Sequence, residues 1–109
     1  MTLQPPPTFF AVYRWRLQPG TEDEFVRAWA EVTRAIREQR GGLGSRLHRA
    51  EDGWWVVYAA WPERERWEAM QALEPCAPEA SARMRAAIAE SAPALLLEPV
   101  QDLLVAPGD

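Results

Sequence analysis

The run Trp54-Trp55-Val56-Val57-Tyr58-Ala59-Ala60-Trp61 has no polar side, and this constrains the fold more than any other feature of the chain. Rich in aromatic and β-branched residues and bounded by Asp52-Gly53 and Pro62, it reads as a strand. A strand with one face on a core and the other in water alternates apolar and polar residues. This one does not, and neither does Phe9-Phe10-Ala11-Val12. Leaving a second apolar face wet would expose a larger patch than monomers usually carry. The sheet therefore needs a cover on both sides, helices on one and a second copy of the chain on the other.

The other elements follow from periodicity and punctuation. Along residues 9–17, Phe9, Ala11, Tyr13, Trp15 and Leu17 alternate with Phe10, Val12, Arg14 and Arg16, which predicts a strand. Pro19-Gly20 turns the chain, and Thr21 with Glu24 has the spacing of a capping box. A helix is expected to residue 40, with Phe25, Trp29, Val32 and Ile36 on one stripe and Gly41-Gly42 ending it. Residues 44–50 and 54–61 form a hairpin. Pro62 suits the first position of a second helix, which Pro75 and Pro78 split into residues 63–73 and 79–91. A last strand spans residues 95–105, with Pro99 marking it as an edge or a bulge. The order β-α-β-β-α-β predicts an α+β, ferredoxin-like fold: a four-stranded antiparallel sheet with its helices on one face.

The 109 residues suffice for one domain, placed at residues 9–106 behind a proline-rich lead-in at residues 1–8. A net charge of −4 gives no cationic face for nucleic acid. No apolar run is long enough for a membrane span, and Met1 to Thr8 lacks the basic and apolar stretches of a signal peptide. The single Cys76 cannot form an internal disulfide. The expected location is the cytoplasm. No metal-ligand spacing, phosphate loop or serine triad is present, and no cofactor is expected. Six tryptophans suit core filling, a subunit interface or an aromatic pocket.

If Asp52-Gly53 is a two-residue type I′ loop, Glu51 opposes Trp54, His48 opposes Val57 and Gly44 opposes Trp61. Arg46, His48, Trp55, Val57, Ala59 and Trp61 then share one face. Ser45, Leu47, Arg49, Trp54, Val56 and Tyr58 share the other. A bulge or longer loop would slip the register and redistribute both sets. On this reading Val56, Tyr58, Leu47 and Trp54 form the face that meets a second copy.

Arg16-Leu17-Gln18-Pro19-Gly20-Thr21-Glu22, the Phe25/Trp29 helix, Gly44-Ser45-Arg46-Leu47-His48-Arg49, Tyr58-Ala59-Ala60-Trp61-Pro62 and Trp67 together resemble the antibiotic biosynthesis monooxygenase family of dimeric α+β barrels. The likeness covers roughly residues 9–70. It implies homodimers with facing sheets and a ligand pocket between each sheet and its own helices. Some members oxygenate aromatic polyketides without metal or flavin, others degrade haem, and many have no known activity. The haem-degrading branch expects an Asn on the first strand, a Trp ending the third and a His on the second helix. Trp61 matches, Tyr13 stands where the Asn should be, and residues 70–91 contain no histidine. That branch is the least favoured, because haem iron needs a proximal ligand.

The resemblance assigns chemistry to particular residues. Oxygenation without a cofactor requires a base to form an electron-rich substrate anion, donors to hold it and a dry pocket. His48, the sole histidine, would be the base, Arg46 would stabilise the anion and Tyr13 would hydrogen-bond it. Trp15, Trp55, Trp61, Trp67, Phe25 and Trp29 would wall a small aromatic ligand, phenol- or hydroquinone-like. His48 between Arg46 and Arg49 equally suits an exposed edge residue with no role, and Arg46 a charge that discourages strand addition. A non-catalytic dimeric barrel that binds an apolar metabolite is the alternative.

Overall fold

The computed structural model describes residues 6–105. The first five residues of the lead-in and residue 106 of the expected domain lie outside them. The elements run β1 (Phe9–Leu17), α1 (Glu22–Arg40), β2 (Ser45–Arg49), β3 (Trp55–Trp61), α2 (Arg64–Gln71), α3 (Pro78–Ala87), β4 (Ile88–Ser91) and β5 (Leu95–Leu97). The sheet order is β2-β3-β1-β4, with β5 also on β1, and all pairings are antiparallel. β4 pairs with Trp15, Arg16 and Leu17 and β5 with Phe10, Ala11 and Val12, so the two occupy one edge of β1 as a broken fourth strand. This is the expected ferredoxin-like α+β arrangement, as an open sheet with three helices.

One face of the sheet is the core. Phe9, Ala11, Val57 and Trp61 are buried there with Phe25 and Ala28 of α1 and Ala80 and Ala87 of α3. Phe25 sits edge-on to Trp15 and Trp55, at centroid distances of 5.6 and 6.0 Å. Trp67 of α2 lies 5.5 Å from Phe9. The helices thus cover the odd-numbered residues of β1. On the outer face Phe10 stacks on Tyr58 at 4.6 Å, and the Arg14 and Arg16 guanidinium groups lie over Trp54.

Five expectations give way. The hairpin loop has three residues, not two: Ala50 N–H donates to Trp54 O, Gly53 N–H donates to Ala50 O, and Gly53 has φ +91°. The Asp52 carboxylate accepts from Trp54 N–H and stabilises this tighter-twisting turn. One extra loop residue slips the register, so Arg46 opposes Tyr58, Leu47 opposes Val57 and His48 opposes Val56. Since opposed residues share a face, Arg46 and His48 lie on the outer face with Trp54, Val56 and Tyr58. Leu47 moves to the helix side and leaves the expected subunit-contact set.

The capping box also fails to form. Thr21 Oγ1 donates to Gln18 O instead of accepting a helix N–H, and Glu24 is drawn away by Arg83 and Arg27. The second helix begins at Arg64 rather than Pro62, because Glu63 is the extended capping residue. Finally, residues 88–91 are strand, although Ile-Ala-Glu-Ser continues a helical pattern. Gln18 N–H donates to Ala87 O and Ala92 N–H donates to Arg14 O, so sheet pairing overrides a weak local propensity. The last strand is correspondingly short, and Pro99 follows two residues after it.

Candidate functional site

Between the sheet and α1/α2 lies a cavity of about 60 Å³, and small residues create it. Ala59 and Ala60 of β3, Ser45 of β2 and Gly42 and Gly44 of the preceding loop leave space that Tyr13, Trp61, Thr33, Ile36 and Met70 enclose. Gly42 is needed for its size: a Cβ there would stand 2.8 Å from Ile36 Cγ2 and 3.6 Å from Trp61 Cη2. The preceding Gly41, at φ +77°, ends α1 in the left-handed conformation and lets the chain turn into this loop.

The polar groups of the cavity are few. The indole Nε1–H of Trp67 donates to the Tyr13 hydroxyl at 2.9 Å. Trp67 is braced by Phe9, and Tyr13 stacks on Trp15 at 5.9 Å with an interplanar angle of 7°. Both ends of the hydrogen bond are therefore held by aromatic packing. Burial raises the Tyr13 phenol above its ordinary value, opposed in part by the Trp67 hydrogen bond. The phenol stays neutral. Trp67 occupies one of its lone pairs, which leaves the phenolic proton to donate to an acceptor in the cavity. Thr33 Oγ1 and Ser45 Oγ, from two other lining residues, lie 3.2 Å apart. Among the described residues, no carboxylate, imidazole or arginine lines this space.

Of the expected site residues, Tyr13 and Trp61 line the cavity, and Trp67 reaches it only through its hydrogen bond to Tyr13. Trp15, Trp55 and Phe25 form the adjoining aromatic core and do not line it. Trp29 is half-buried on α1, with its Nε1–H buried and without a partner among the described residues. Arg46 and His48 stand apart from Tyr13. They line an open groove of about 640 Å³ on the outer face with Val12, Val56, Tyr58 and Leu104. Both are exposed there, and His48 Nδ1 lies 3.3 Å from Val56 O. Sequence reasoning missed Thr33, Ser45, Gly42 and Met70. Thr33 was accessible through its spacing from Trp29 and Ile36 on one helical stripe. Ser45 needed only the slipped register. For Gly42 and Met70 the sequence carries no signal.

Comparison with known proteins agrees with this architecture. The sequence profile of the family described as antibiotic biosynthesis monooxygenase matches residues 8–77, more than half of the chain. A search of curated proteins finds no match. Among solved structures, the chain is similar to SnoaB from Streptomyces nogalater, a cofactor-independent oxygenase. The two are 22% identical, with a TM-score of 0.72 over 89% of this chain and 97% of that one. It is also similar to a protein of Bordetella bronchiseptica assigned to antibiotic biosynthesis monooxygenases, at 18% identity and a TM-score of 0.74 over 87% and 99% of the two chains. A third, from Chloroflexus aurantiacus, gives 19% identity and a TM-score of 0.69 over 91% and 99%. With a family profile spanning Thr8 to Ala77 and the fold on which such proteins are built, the chain belongs to the antibiotic biosynthesis monooxygenase family.

Proposed function

We propose that the protein is a cofactor-independent monooxygenase that oxidises a small phenol- or hydroquinone-like substrate seated beneath Tyr13. The observation that carries this reading is the Tyr13–Trp67 pair: a neutral phenol that accepts from Trp67, keeps its own proton to donate, and belongs to a residue lining an apolar cavity. The family membership and the likeness to SnoaB support it.

The chemistry balances without a further reductant. A hydroquinone and molecular oxygen give a hydroxyquinone and water. One ring C–H bond becomes C–O, the second oxygen atom leaves as water, and the ring supplies all four electrons. The reacting form is the substrate anion, whose charge Tyr13 stabilises by donating its O–H to the oxyanion. Such a donor contributes most where water is excluded. Because no base lines the cavity, the substrate gives up its proton to solvent before it is enclosed. At about 60 Å³ the space is well below the roughly 150 Å³ of an engineered cavity that holds benzene. Ring binding therefore moves Met70, whose unbranched side chain adapts readily.

Oxygen uptake across a panel of hydroquinones tests the assignment. Uptake should exceed autoxidation and fall about a hundredfold in Tyr13→Phe, the scale on which loss of one oxyanion donor acts. No uptake above background, or a Tyr13→Phe rate equal to wild type, refutes it. The base-free lining favours one other reading, a barrel that binds an apolar metabolite without turning it over. Saturable hydroquinone binding with no oxygen consumption would select that alternative.

The outer face points to a second copy as its cover. Phe10, Val12, Trp54, Val56 and Tyr58 share it, and Tyr58 is 36% exposed in the single chain. A symmetric contact through these residues buries them without involving the Tyr13 cavity.

A further inference from the structure

We propose that the groove at the C-terminal end of α1, walled by Arg37, Arg40 and Arg66, holds an anionic substituent of the substrate, a carboxylate or a phosphate. The ring of that substrate would extend past Met70 towards Tyr13. This inference rests on the cavity reading above and names the class of molecule the cavity receives.

Four observations carry it. The groove, of about 500 Å³, shares Met70 with the Tyr13 cavity, so the two spaces adjoin at a flexible side chain. The chain is acidic overall, at −4, yet three arginines line this groove against a single carboxylate, Glu38. Among the described residues, none of these three guanidinium groups has a salt-bridge partner, as is true also of Arg14, Arg34, Arg46, Arg49 and Arg85, whereas Arg16, Arg27 and Arg64 have one each and Arg83 has two. Lastly, Arg40 is only half used. Its Nη2–H donates to Glu74 O at 2.9 Å, while Nη1 is buried with no partner. A buried guanidinium N–H without an acceptor is costly, and an oxyanion arriving in the groove would satisfy it.

Arginines in the last turn of a helix also complement its dipole, which accounts for placing Arg37 and Arg40 there. It does not account for Arg66, which comes from α2 and lies so close to Gly41 that a Cβ would collide with its guanidinium. A groove lined by arginines from two elements suits a planar carboxylate or a phosphate, each able to accept parallel N–H bonds.

The test compares three probes by calorimetry on the intact protein: hydroquinone, gentisate (hydroquinone bearing one carboxylate) and hydroquinone monophosphate. At least one anion should bind about tenfold tighter than hydroquinone at low ionic strength, and whichever binds tighter names the anionic group. The advantage should vanish in Arg37→Gln/Arg66→Gln, both exposed positions, with hydroquinone affinity unchanged. Tyr13→Phe should instead weaken all three probes alike. If hydroquinone binds and neither anion binds tighter, or if the advantage persists in the arginine variant, the inference is wrong and the cavity reading stands. If none of the three binds, both fall. An unchanged thermal midpoint in the arginine variant ensures that a lost advantage is not lost folding.

Discussion

Replacing Tyr13 by Phe removes one atom and separates the energetic role of the Tyr13–Trp67 pair from its chemical one. The 2.9 Å hydrogen bond is neutral and part-buried, so its net contribution is about 1 kcal/mol. The variant also strands the indole N–H of Trp67, which adds up to about 1 kcal/mol more where water cannot reach it. Tyr13→Phe should therefore lose about 1–2 kcal/mol, a fall in Tm of roughly 5–15 °C for a domain of this size. Trp67→Phe loses packing against Phe9 as well, at about 1–3 kcal/mol. The double variant removes both partners and should cost about 1 kcal/mol less than the two singles summed. The assay is urea denaturation of all four proteins at neutral pH, with oxygen uptake measured on the same samples. A coupling energy below about 0.3 kcal/mol would mean that the pair does not act as a unit, and the case for a fixed phenol would fail.

Further expectations follow from individual contacts. Burial raises Tyr13, so the native state holds its proton longer than the unfolded chain. The stability this gives is complete below the ordinary value of 10.0 and is lost as pH rises above it towards the folded pKa. Alkaline denaturation should show less of this loss in Tyr13→Phe, and an unchanged profile would contradict the burial argument. The Arg83 and Arg27 guanidinium groups hold the Glu24 carboxyl below its ordinary value, so this contribution is present above 4.5 and lost as pH falls through the lower folded pKa. Arg83→Ala should narrow the difference between urea midpoints at neutral and acid pH; equal differences would remove Glu24 from the account. Gly42→Ala forces Ile36 to shift and should cost about 1–3 kcal/mol while narrowing the cavity, read as a lower urea midpoint and weaker hydroquinone binding. By light scattering the wild type should give twice the 12.4 kDa chain mass and Tyr58→Glu the chain mass alone. Equal masses would place the subunit contact elsewhere.

The strands and the long helix were legible because their periods are strong: alternation along β1 and a stripe through Phe25 on α1. The faces of β3, both apolar, carry no such period and were told apart only by the likeness of Trp61 to the family's pocket tryptophan. The face of β2 was not legible, since Glu51-Asp52-Gly53 serves a two-residue or a three-residue loop equally well and one residue decides every side chain beyond it. That single slip separates Arg46 and His48 from Tyr13, and with them the only base the sequence offered. The capping box was lost to Arg83, which lies 59 residues from Glu24 in sequence and adjoins it only in the fold. Residues 88–91 have a helical pattern and became strand because the end of β1 supplies a pairing edge. The cavity itself was the least visible part. It is made by residues that are small, Gly42, Ser45 and Ala59, and smallness leaves no chemical signature in a sequence.

Substrate oxygenation at the Tyr13–Trp67 pair is tested most directly by reacting a hydroquinone under isotopically labelled molecular oxygen and following the product by mass spectrometry. One labelled oxygen atom per product molecule is expected, formed faster than in buffer alone and about a hundredfold more slowly in Tyr13→Phe. A product without label, or one labelled at the same rate whether Tyr13 or Phe occupies the position, would contradict it.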